Sequence, residues 1–227
     1  YQRLSEAVGG SYVHLSLSSE SRVNPFDLPT NTQGEEAKNA LRSNLITLHG
    51  LLRIMLSGAQ AQYVDSKSVS LNQGGITPEE QSDLDQALIE TYAKAGITND
   101  PLTHKAPAPT MIDLYNILIK MPGHGPSLAQ KLKKFTTGTF AGIFSAQSNV
   151  QIDNNLVVFN IRDLEDELRP IAMYIVLNFI WNKTRTDQKK RMLIVDEAWQ
   201  LMQYEDSAKF MFSLAKRARK YNLGLTT

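Results

Sequence analysis

Cysteine is absent from this chain of 227 residues, and neither sign of charge is in clear excess. Without cysteine the protein has no disulfide framework, no thiol nucleophile and no cysteine-ligated metal. The 24 basic side chains are balanced by 23 acidic ones, which gives a formal net charge of +1. This balance provides no argument for binding to nucleic acid or to an anionic membrane, so any such surface has to be local.

Two longer patterns are missing as well. The longest nearly uninterrupted apolar run, Ile171 to Trp181, contains Asn178 and is shorter than the roughly 20 residues that cross a bilayer. This run predicts a buried helix instead. No glycine-rich loop ending in Lys-Ser or Lys-Thr occurs in the sequence, so the usual phosphate-binding loop is lacking. The composition, 42% hydrophobic and 21% charged, is typical of a folded globular protein.

The stretch from Arg191 to Gln200 carries the clearest functional signal. Its apolar residues, Met192 to Val195, predict a short strand that is buried on both faces and ends at Asp196 and Glu197. Open α/β sheets bind their ligands at this carboxyl edge. In P-loop nucleotidases such a Walker B pair uses the first acid to hold Mg²⁺, usually through water, and the second to polarise the attacking water.

A second interpretation of the acidic pair stays open at this point. Asp196 could cap a following helix, with Glu197 favoured by the helix dipole in its first turn. Adjacent strand residues point to opposite faces of a sheet. Both acids therefore reach one site only if the strand ends at Asp196 and the chain turns there.

Helical signals fill the middle of the chain. Apolar residues at helical spacing follow three N-cap candidates, and glycines are expected to end these helices. The small and polar segment from Ala59 to Gly75 predicts a connection. A further short helix carries Lys131, Lys133 and Lys134, which we interpret as a solvated face and not as a nucleic-acid patch. The three candidate caps are Thr32, Thr77 and Thr110.

Strand signals lie on both sides of this helical segment. Tyr12 to Leu17 predicts the first strand, and the turn-prone stretch from Asn24 to Pro29 is interpreted as a surface loop. Alternation of strands and helices after Gly138 predicts a parallel sheet with helical crossovers. These later elements are a strand at 156–161, a helix opened by Pro170, the strand before Asp196, a helix from about Asp206 to Tyr221 and a strand from Leu223.

The predicted architecture is an α/β domain interrupted by an all-helical insertion. Residues 1–33 form its first part, residues 34–137 the insertion, and residues 138–227 the second part with the acidic pair. Long insertions in compact domains are usually functional, so we expect this one to supply a lid or a partner surface.

Several short motifs in a fixed order resemble one family, the conjugative-transfer and type IV secretion ATPases. These are the TraC-like relatives within the HerA/FtsK branch of RecA-like motors. The resemblance covers nearly the whole chain and is strongest between Ile194 and Met202. The other matching motifs are Asn24-Pro25-Phe26-Asp27, Thr77-Pro78-Glu79-Glu80-Gln81 with Ala87-Leu88 and Tyr92, Gly142-Ile143-Phe144, Val157 to Ile161, and Lys216 to Asn222.

This resemblance implies a RecA-like P-loop NTPase fold whose parallel sheet is interrupted by an all-α insertion. It implies ATP with Mg²⁺ as cofactors, and a motor that energises a conjugation or type IV secretion channel. The implied partners are other channel subunits and further copies of the chain in a ring or dimer, with DNA as a further partner. The implied location is peripheral, at the cytoplasmic face of the bacterial inner membrane.

Residue roles follow from the resemblance position by position. Asp196 would organise Mg²⁺ through water, and Glu197 would polarise the attacking water. Arg217 or Arg219 would stabilise transition-state charge on a neighbouring subunit's nucleotide. The alternative is that this basic run complements the negative end of its helix. Trp199 is expected to pack the rim of the site as an apolar anchor.

The family's phosphate-binding loop would lie upstream of Tyr1, and its polar Thr-Gln sensor would follow Thr227. Because the chain starts without a methionine, we interpret it as an internal piece. Because it lacks the loop's backbone N–H cradle and lysine, we expect it to be inactive alone. Two other functions compete with the channel motor. One is a DNA-pumping translocase of the same branch, and the other is a catalytically silent scaffold of the secretion complex.

Overall fold

The computed structural model describes residues 1–29, 34–57, 76–187 and 189–227. The cap predicted at Thr32 and the connection predicted from Ala59 to Gly75 lie outside these ranges. Within them, helices α1 to α10 span Gln2–Ala7, Gly34–Lys38, Ala40–Ser57, Pro78–Lys94, Met111–Leu118, Gly125–Thr136, Ala141–Phe144, Arg169–Asp187, Trp199–Met202 and Glu205–Ala218. Strands β1 to β4 span Ser11–His14, Val157–Asn160, Arg191–Ile194 and Leu223–Thr226, and 3₁₀ turns occupy Pro101–Lys105 and Arg219–Tyr221.

The strands pair in two parallel ladders. β1 pairs with β2 across the helical segment, with Ser11 opposite Val157. β3 pairs with β4, with Arg191 opposite Leu223. Parallel strands need crossover connections, and helices supply them here. The predicted α/β class with parallel strands is confirmed.

The helices between β1 and β2 pack into a core, and the ends of α4 lie where the sequence predicted them. Thr77 caps α4 in a capping box, because its Oγ1 accepts from the Glu80 N–H at 3.1 Å while the Glu80 carboxylate accepts from the Thr77 N–H at 3.0 Å. Gly96 follows α4 with a φ of 77°, a conformation that glycine adopts at little cost. Leu84, Leu88 and Tyr92 on the inner face of α4 are fully buried, as the helical spacing predicted.

One further prediction about this segment is confirmed, the helix start at Thr110, and a second stays a prediction. Thr110 precedes α5, and its N–H and hydroxyl both donate to the Asp113 carboxylate. Two of the three lysines of α6 make ion pairs within the protein. Lys131 contacts Glu80 at 2.6 Å, and Lys134 contacts Glu167 at 3.4 Å. These contacts fit the interpretation that this face does not bind nucleic acid.

Helix α8 lies behind the strands and is buried along most of its length, as predicted for Ile171 to Trp181. Phe179 packs edge-on against Phe159 of β2 with the ring centres 6.3 Å apart. Among the helices in the described part of the chain, none has both the length and the apolar content needed to span a membrane.

The stretch from Asn24 to Pro29 is not a surface loop, so that interpretation was wrong. Phe26 is 0% exposed, and Asn24 is 2% exposed. The Asn24 side chain satisfies the buried backbone, since its Nδ2 donates to the Pro109 carbonyl at 2.8 Å and its Oδ1 accepts from the Phe26 N–H at 3.1 Å. A turn-forming composition therefore marks a buried junction here.

The expectation that β3 is buried on both faces was also wrong. Met192 is 72% exposed and Ile194 is 68% exposed, whereas Leu193 on the opposite face packs against the core. Within the described ranges β3 pairs with β4 alone, and the face that carries Met192 and Ile194 is left to solvent. An apolar strand sequence gives the period of the strand but does not show which of its faces is covered.

Candidate functional site

The two acids of the predicted Walker B pair sit in a turn directly after β3. Val195 is buried, and its N–H donates to the Thr226 carbonyl at 2.9 Å, which holds the strand end in the sheet. The chain then turns through residues 196–198, and Glu197 has a φ of 54°. The Asp196 Oδ1 accepts from the Glu197 N–H at 3.1 Å. This is the turn that the sequence argument required for both acids to serve one site.

The competing interpretation, in which Asp196 caps a helix, is not supported by the geometry. Helix α9 begins at Trp199, and its N-cap residue is Ala198, which makes no side-chain capping bond. The one backbone donor that Asp196 is shown to accept from is the adjacent Glu197 N–H, inside the turn. The acidic pair is therefore held by the turn after the strand and not by the start of the helix.

The chemistry of this turn suits a hydrated magnesium ion. Asp196 and Glu197 are both exposed, so their carboxylate oxygens are open to solvent and to ligands. Mg²⁺ keeps several of its waters and takes one or two carboxylates together with substrate phosphates. No cluster of three or more potential metal-ligating side chains occurs in the described ranges. The donor set thus fits a water-bridged ion and not an all-protein metal cage.

Gln200 is a polar neighbour of the pair that the sequence analysis missed. Its side-chain Nε2 donates to the Glu197 Oε2 at 2.5 Å, and its backbone N–H donates to the Glu197 carbonyl at 3.0 Å. Residues three apart in sequence are expected to contact each other when both lie on one helix. Glu197 lies before the start of α9, so the sequence spacing did not predict this contact. The contact depends on the left-handed backbone of Glu197, which composition does not reveal.

The structure does not bring Arg217 and Arg219 together with the two acids. Arg217 lies in the last turn of α10 and Arg219 in the 3₁₀ turn before β4, and both are exposed. Since β4 starts opposite the start of β3, both arginines lie towards the amino edge of this strand pair. The acids follow its carboxyl edge, about 10 Å further along the strands. The idea that Arg219 is nearer to the site in its own chain is not supported.

Trp199 does not act as a buried anchor in this structure. Its side chain is 62% exposed, although Ala198 and Leu201 on either side of it are buried. The expectation that it packs the rim of the site was therefore wrong. Trp199 stands on the outer side of the turn that carries the acids.

A cavity of about 360 Å³ lies elsewhere, and its lining residues include neither Asp196 nor Glu197. It forms where the stretch after β1 meets α8 and the 3₁₀ turn Pro101–Lys105. Asp27 is on its wall and accepts from the Ser148 hydroxyl at 2.5 Å. Burial raises the pKa of the Asp27 carboxyl, and the Ser148 hydrogen bond and nearby Lys183 oppose that shift.

Comparisons with known proteins agree with this geometry. Residues 127–226, which include β2, β3, the acidic turn and β4, match the TraG P-loop domain family. The structure of VirB4 from Thermoanaerobacter pseudethanolicus is similar over 100% of this chain and 82% of its own, with 27% sequence identity and a TM-score of 0.81. None of the curated proteins is similar enough in sequence to count as a match.

The parallel strands, the helical segment between them and the acids after β3 define a P-loop NTPase fold, as the match to VirB4 shows. Within that class, the two matches support a P-loop ATPase of conjugation and type IV secretion, of the TraG and VirB4 type. The resemblance drawn from the sequence motifs is therefore confirmed.

Proposed function

We propose that this chain carries the water-activating part of an ATP-driven motor subunit that energises a conjugation or type IV secretion channel. The observation that carries the proposal is the turn after β3, which presents Asp196 and Glu197 at the carboxyl edge of a parallel strand pair. Ligands of open α/β sheets bind at this edge. The similarity to VirB4, a type IV secretion ATPase, supports the choice of system.

Each acid has a separate task in this proposal. Asp196 would hold a magnesium ion through water, and that ion would supply positive charge near the nucleotide phosphates. Glu197 accepts a hydrogen bond from the water that attacks the γ-phosphate and so orients it. Both side chains are exposed, which leaves them room to contact water and nucleotide.

The phosphates themselves need a cradle of backbone N–H groups and a lysine, and this sequence contains no loop of that kind. We therefore expect these 227 residues alone neither to bind ATP tightly nor to hydrolyse it. Activity is expected from a longer protein that carries this chain together with a phosphate-binding loop, hereafter the loop-containing protein.

The two arginines support an assembly in which neighbouring copies complete each other's sites. Because Arg217 and Arg219 lie at the edge opposite the acids of their own chain, we expect either to act on a neighbour's nucleotide. This contact would be head-to-tail in a ring, and reciprocal across the two-fold axis in a dimer. The test is to mix two inactive variants of the loop-containing protein, Arg219→Ala and Glu197→Gln. Part of the turnover should return, because one of the mixed interfaces combines an intact Glu197 with an intact Arg219. No recovery with Arg219→Ala or with Arg217→Ala would overturn this arrangement.

The division of the chain into residues 1–33, 34–137 and 138–227 belongs to the same proposal. The helical segment is tied to the helices around the acids, since Arg53 of α3 pairs with Asp206 of α10 at 2.7 Å. The Tyr174 hydroxyl of α8 donates to the Thr47 carbonyl of α3 at 3.1 Å. These ties favour a fixed surface for other channel subunits over a lid that swings free. The assembly is expected to lie peripherally at the cytoplasmic face of the inner membrane.

Replacing Glu197 with Gln in the loop-containing protein tests the assignment. The amide keeps the size of the side chain but no longer attracts the proton of the attacking water, so turnover should fall by about a hundredfold or more while ATP binding persists. Glu90→Gln, an exposed carboxylate on α4, is the matched control and should leave turnover unchanged. If secretion or transfer survives Glu197→Gln, the scaffold function replaces the motor.

A DNA-pumping translocase is the second candidate, and one observation favours it. Four exposed lysines lie near the amino edge of β3 and β4: Lys189, Lys190, Lys216 and Lys220. Two of them also pair with acids of the chain, Lys189 with Asp187 and Lys220 with Glu36. Neutralisation of DNA phosphates by such residues makes binding fall steeply with salt. A steep salt dependence of DNA binding by the loop-containing protein would favour the pump, and weak binding without that dependence would favour the channel motor.

A further inference from the structure

We propose that Gln200 is a positioning residue that holds the Glu197 carboxylate in the orientation needed to polarise water. This inference rests on the proposed role of Glu197 and adds a residue to that site. Its basis is the pair of hydrogen bonds that Gln200 gives to Glu197, one from the side chain and one from the backbone.

The backbone of Glu197 is already fixed by its surroundings. Its φ of 54° is rare for a residue with a side chain and costs on the order of 1–3 kcal/mol where it persists. The hydrogen bond from the Glu197 N–H to the Asp196 carboxylate stabilises this conformation. Strained residues of this kind cluster at functional sites, and here the strain turns the second acid away from the direction that a continuing strand would give it.

The side chain of Glu197 needs a separate restraint. It is exposed, and an exposed carboxylate rotates freely unless a neighbour holds it. The Gln200 Nε2 supplies that restraint by binding the Oε2 oxygen at 2.5 Å. The other oxygen, Oε1, is then the one that faces a water to be polarised.

Gln200 itself stands on a firm support. It is half-buried on the short helix α9, next to Leu201, which is 0% exposed. Ala198, which precedes α9, is also buried, and α9 packs against α8 and α10. The packed helix therefore holds the Gln200 amide in place beside the exposed Glu197 carboxylate. This is expected of a residue that orients a catalytic group.

An exposed hydrogen bond between near neighbours often contributes little to stability. A purely structural role for Gln200 would therefore show as a small change in melting temperature with unchanged kinetics. A positioning role instead lowers kcat at unchanged KM for ATP, since misorientation acts on the chemical step and leaves nucleotide binding intact.

Two substitutions in the loop-containing protein separate these outcomes. Gln200→Glu keeps the shape and removes the donor, so kcat should fall about tenfold or more with KM within about twofold. Gln200→Lys keeps a donor within reach and should retain most of the turnover. Gln203→Glu and Gln203→Lys, at the exposed end of the same helix, are the matched controls and should change neither constant.

A double-mutant cycle tests whether Gln200 acts through Glu197. In the Glu197→Gln background, Gln200→Glu should cause no further loss, because the carboxylate that it orients is gone. An additive loss would overturn the inference. An increase in kcat in Gln200→Glu would overturn it too, because it would mean that the amide holds Glu197 in an orientation unsuited to polarising water.

The two proposals fail in different ways. If Glu197→Gln leaves turnover intact, the proposed function falls. If Glu197→Gln abolishes turnover while Gln200→Glu is fully active, only the role of Gln200 is overturned. Melting temperature and ATP binding are measured for every variant. Gln200→Leu, which removes the donor without adding a charge, replaces Gln200→Glu if that variant folds poorly, and full activity of Gln200→Leu would overturn the role of Gln200.

Discussion

Glu197 is the residue at which local conformation and proposed chemistry meet. Among the described residues it shares a positive φ with one other non-glycine residue, Asn222, which lies in the turn before β4. Asparagine tolerates this conformation better than glutamate does. A glutamate keeps this strained backbone conformation only because its neighbours hold it there. Strained residues of this kind are common at functional sites.

The strain at Glu197 can be measured in the 227-residue chain without any activity. Glu197→Gly should be more stable than Glu197→Ala by about 1 kcal/mol, because only glycine relaxes at positive φ. Urea unfolding of both variants gives this difference. Glu90 on helix α4 is the control: there Glu90→Gly should be less stable than Glu90→Ala by a similar amount, because glycine is unfavourable inside a helix. If Glu197→Gly is the less stable of the two, the turn does not have the described backbone.

The buried carboxyl of Asp27 should make the stability of the chain depend on pH. Burial raises its pKa, so the folded chain binds a proton that the unfolded chain releases near the usual value of 3.8. Stability contributed by this proton is complete below that value and is lost as pH rises through the raised pKa. Asp27→Asn removes the titration, so its stability relative to the wild type should increase between pH 4 and pH 7. Denaturant unfolding at several pH values measures this difference, and a constant or falling difference would contradict it.

At the scale of elements, α3 is the helix through which the two parts of the molecule are joined. Its Asn44 Nδ2 donates to the Tyr92 hydroxyl of α4 at 2.8 Å, and that hydroxyl donates to the Phe26 carbonyl at 2.8 Å. The Asn178 amide of α8 donates to the Asn44 Oδ1 at 3.3 Å. Burial raises the pKa of Tyr92, which keeps the hydroxyl protonated as a donor. A buried polar chain thus connects three helices with the stretch after β1.

Tyr92→Phe tests this chain of hydrogen bonds. It removes one hydroxyl and leaves the Asn44 amide and the Phe26 carbonyl without that partner, at a cost of about 1–3 kcal/mol in unfolding free energy. Tyr115→Phe, at a half-buried tyrosine of α5 outside this network, should cost less than about 0.5 kcal/mol. Equal effects of the two substitutions, measured by urea unfolding, would show that the network does not stabilise the junction.

Sequence periodicity was sufficient to locate most elements, because helix and strand periods are local properties. The capping box at Thr77, the buried face of α4 and the strand before Asp196 all follow from neighbouring residues. The exposure of Met192 and Ile194 does not, since it depends on which elements cover that face. The Gln200 contact depends on a left-handed turn, and the burial of Asn24 depends on a partner 85 residues away.

At the scale of the whole molecule, the proposed chemistry is divided between two edges of one strand pair. The acids follow β3 at the carboxyl edge, and Arg217 and Arg219 lie towards the amino edge. The phosphate cradle is not encoded in the sequence. In the proposed function such a chain would contribute its acids to one nucleotide and its arginines to the next, so turnover is expected to depend on both a phosphate cradle and a neighbouring copy.

The most direct test of this account is Mg²⁺-dependent ATP hydrolysis, measured side by side for the 227-residue chain and for the loop-containing protein. We expect no turnover by the chain alone and clear turnover by the loop-containing protein, which Glu197→Gln lowers by about a hundredfold or more. Turnover by the chain alone would contradict the need for a phosphate cradle. A loop-containing protein that binds ATP but never hydrolyses it would contradict the assignment of Asp196 and Glu197 to a hydrolytic site.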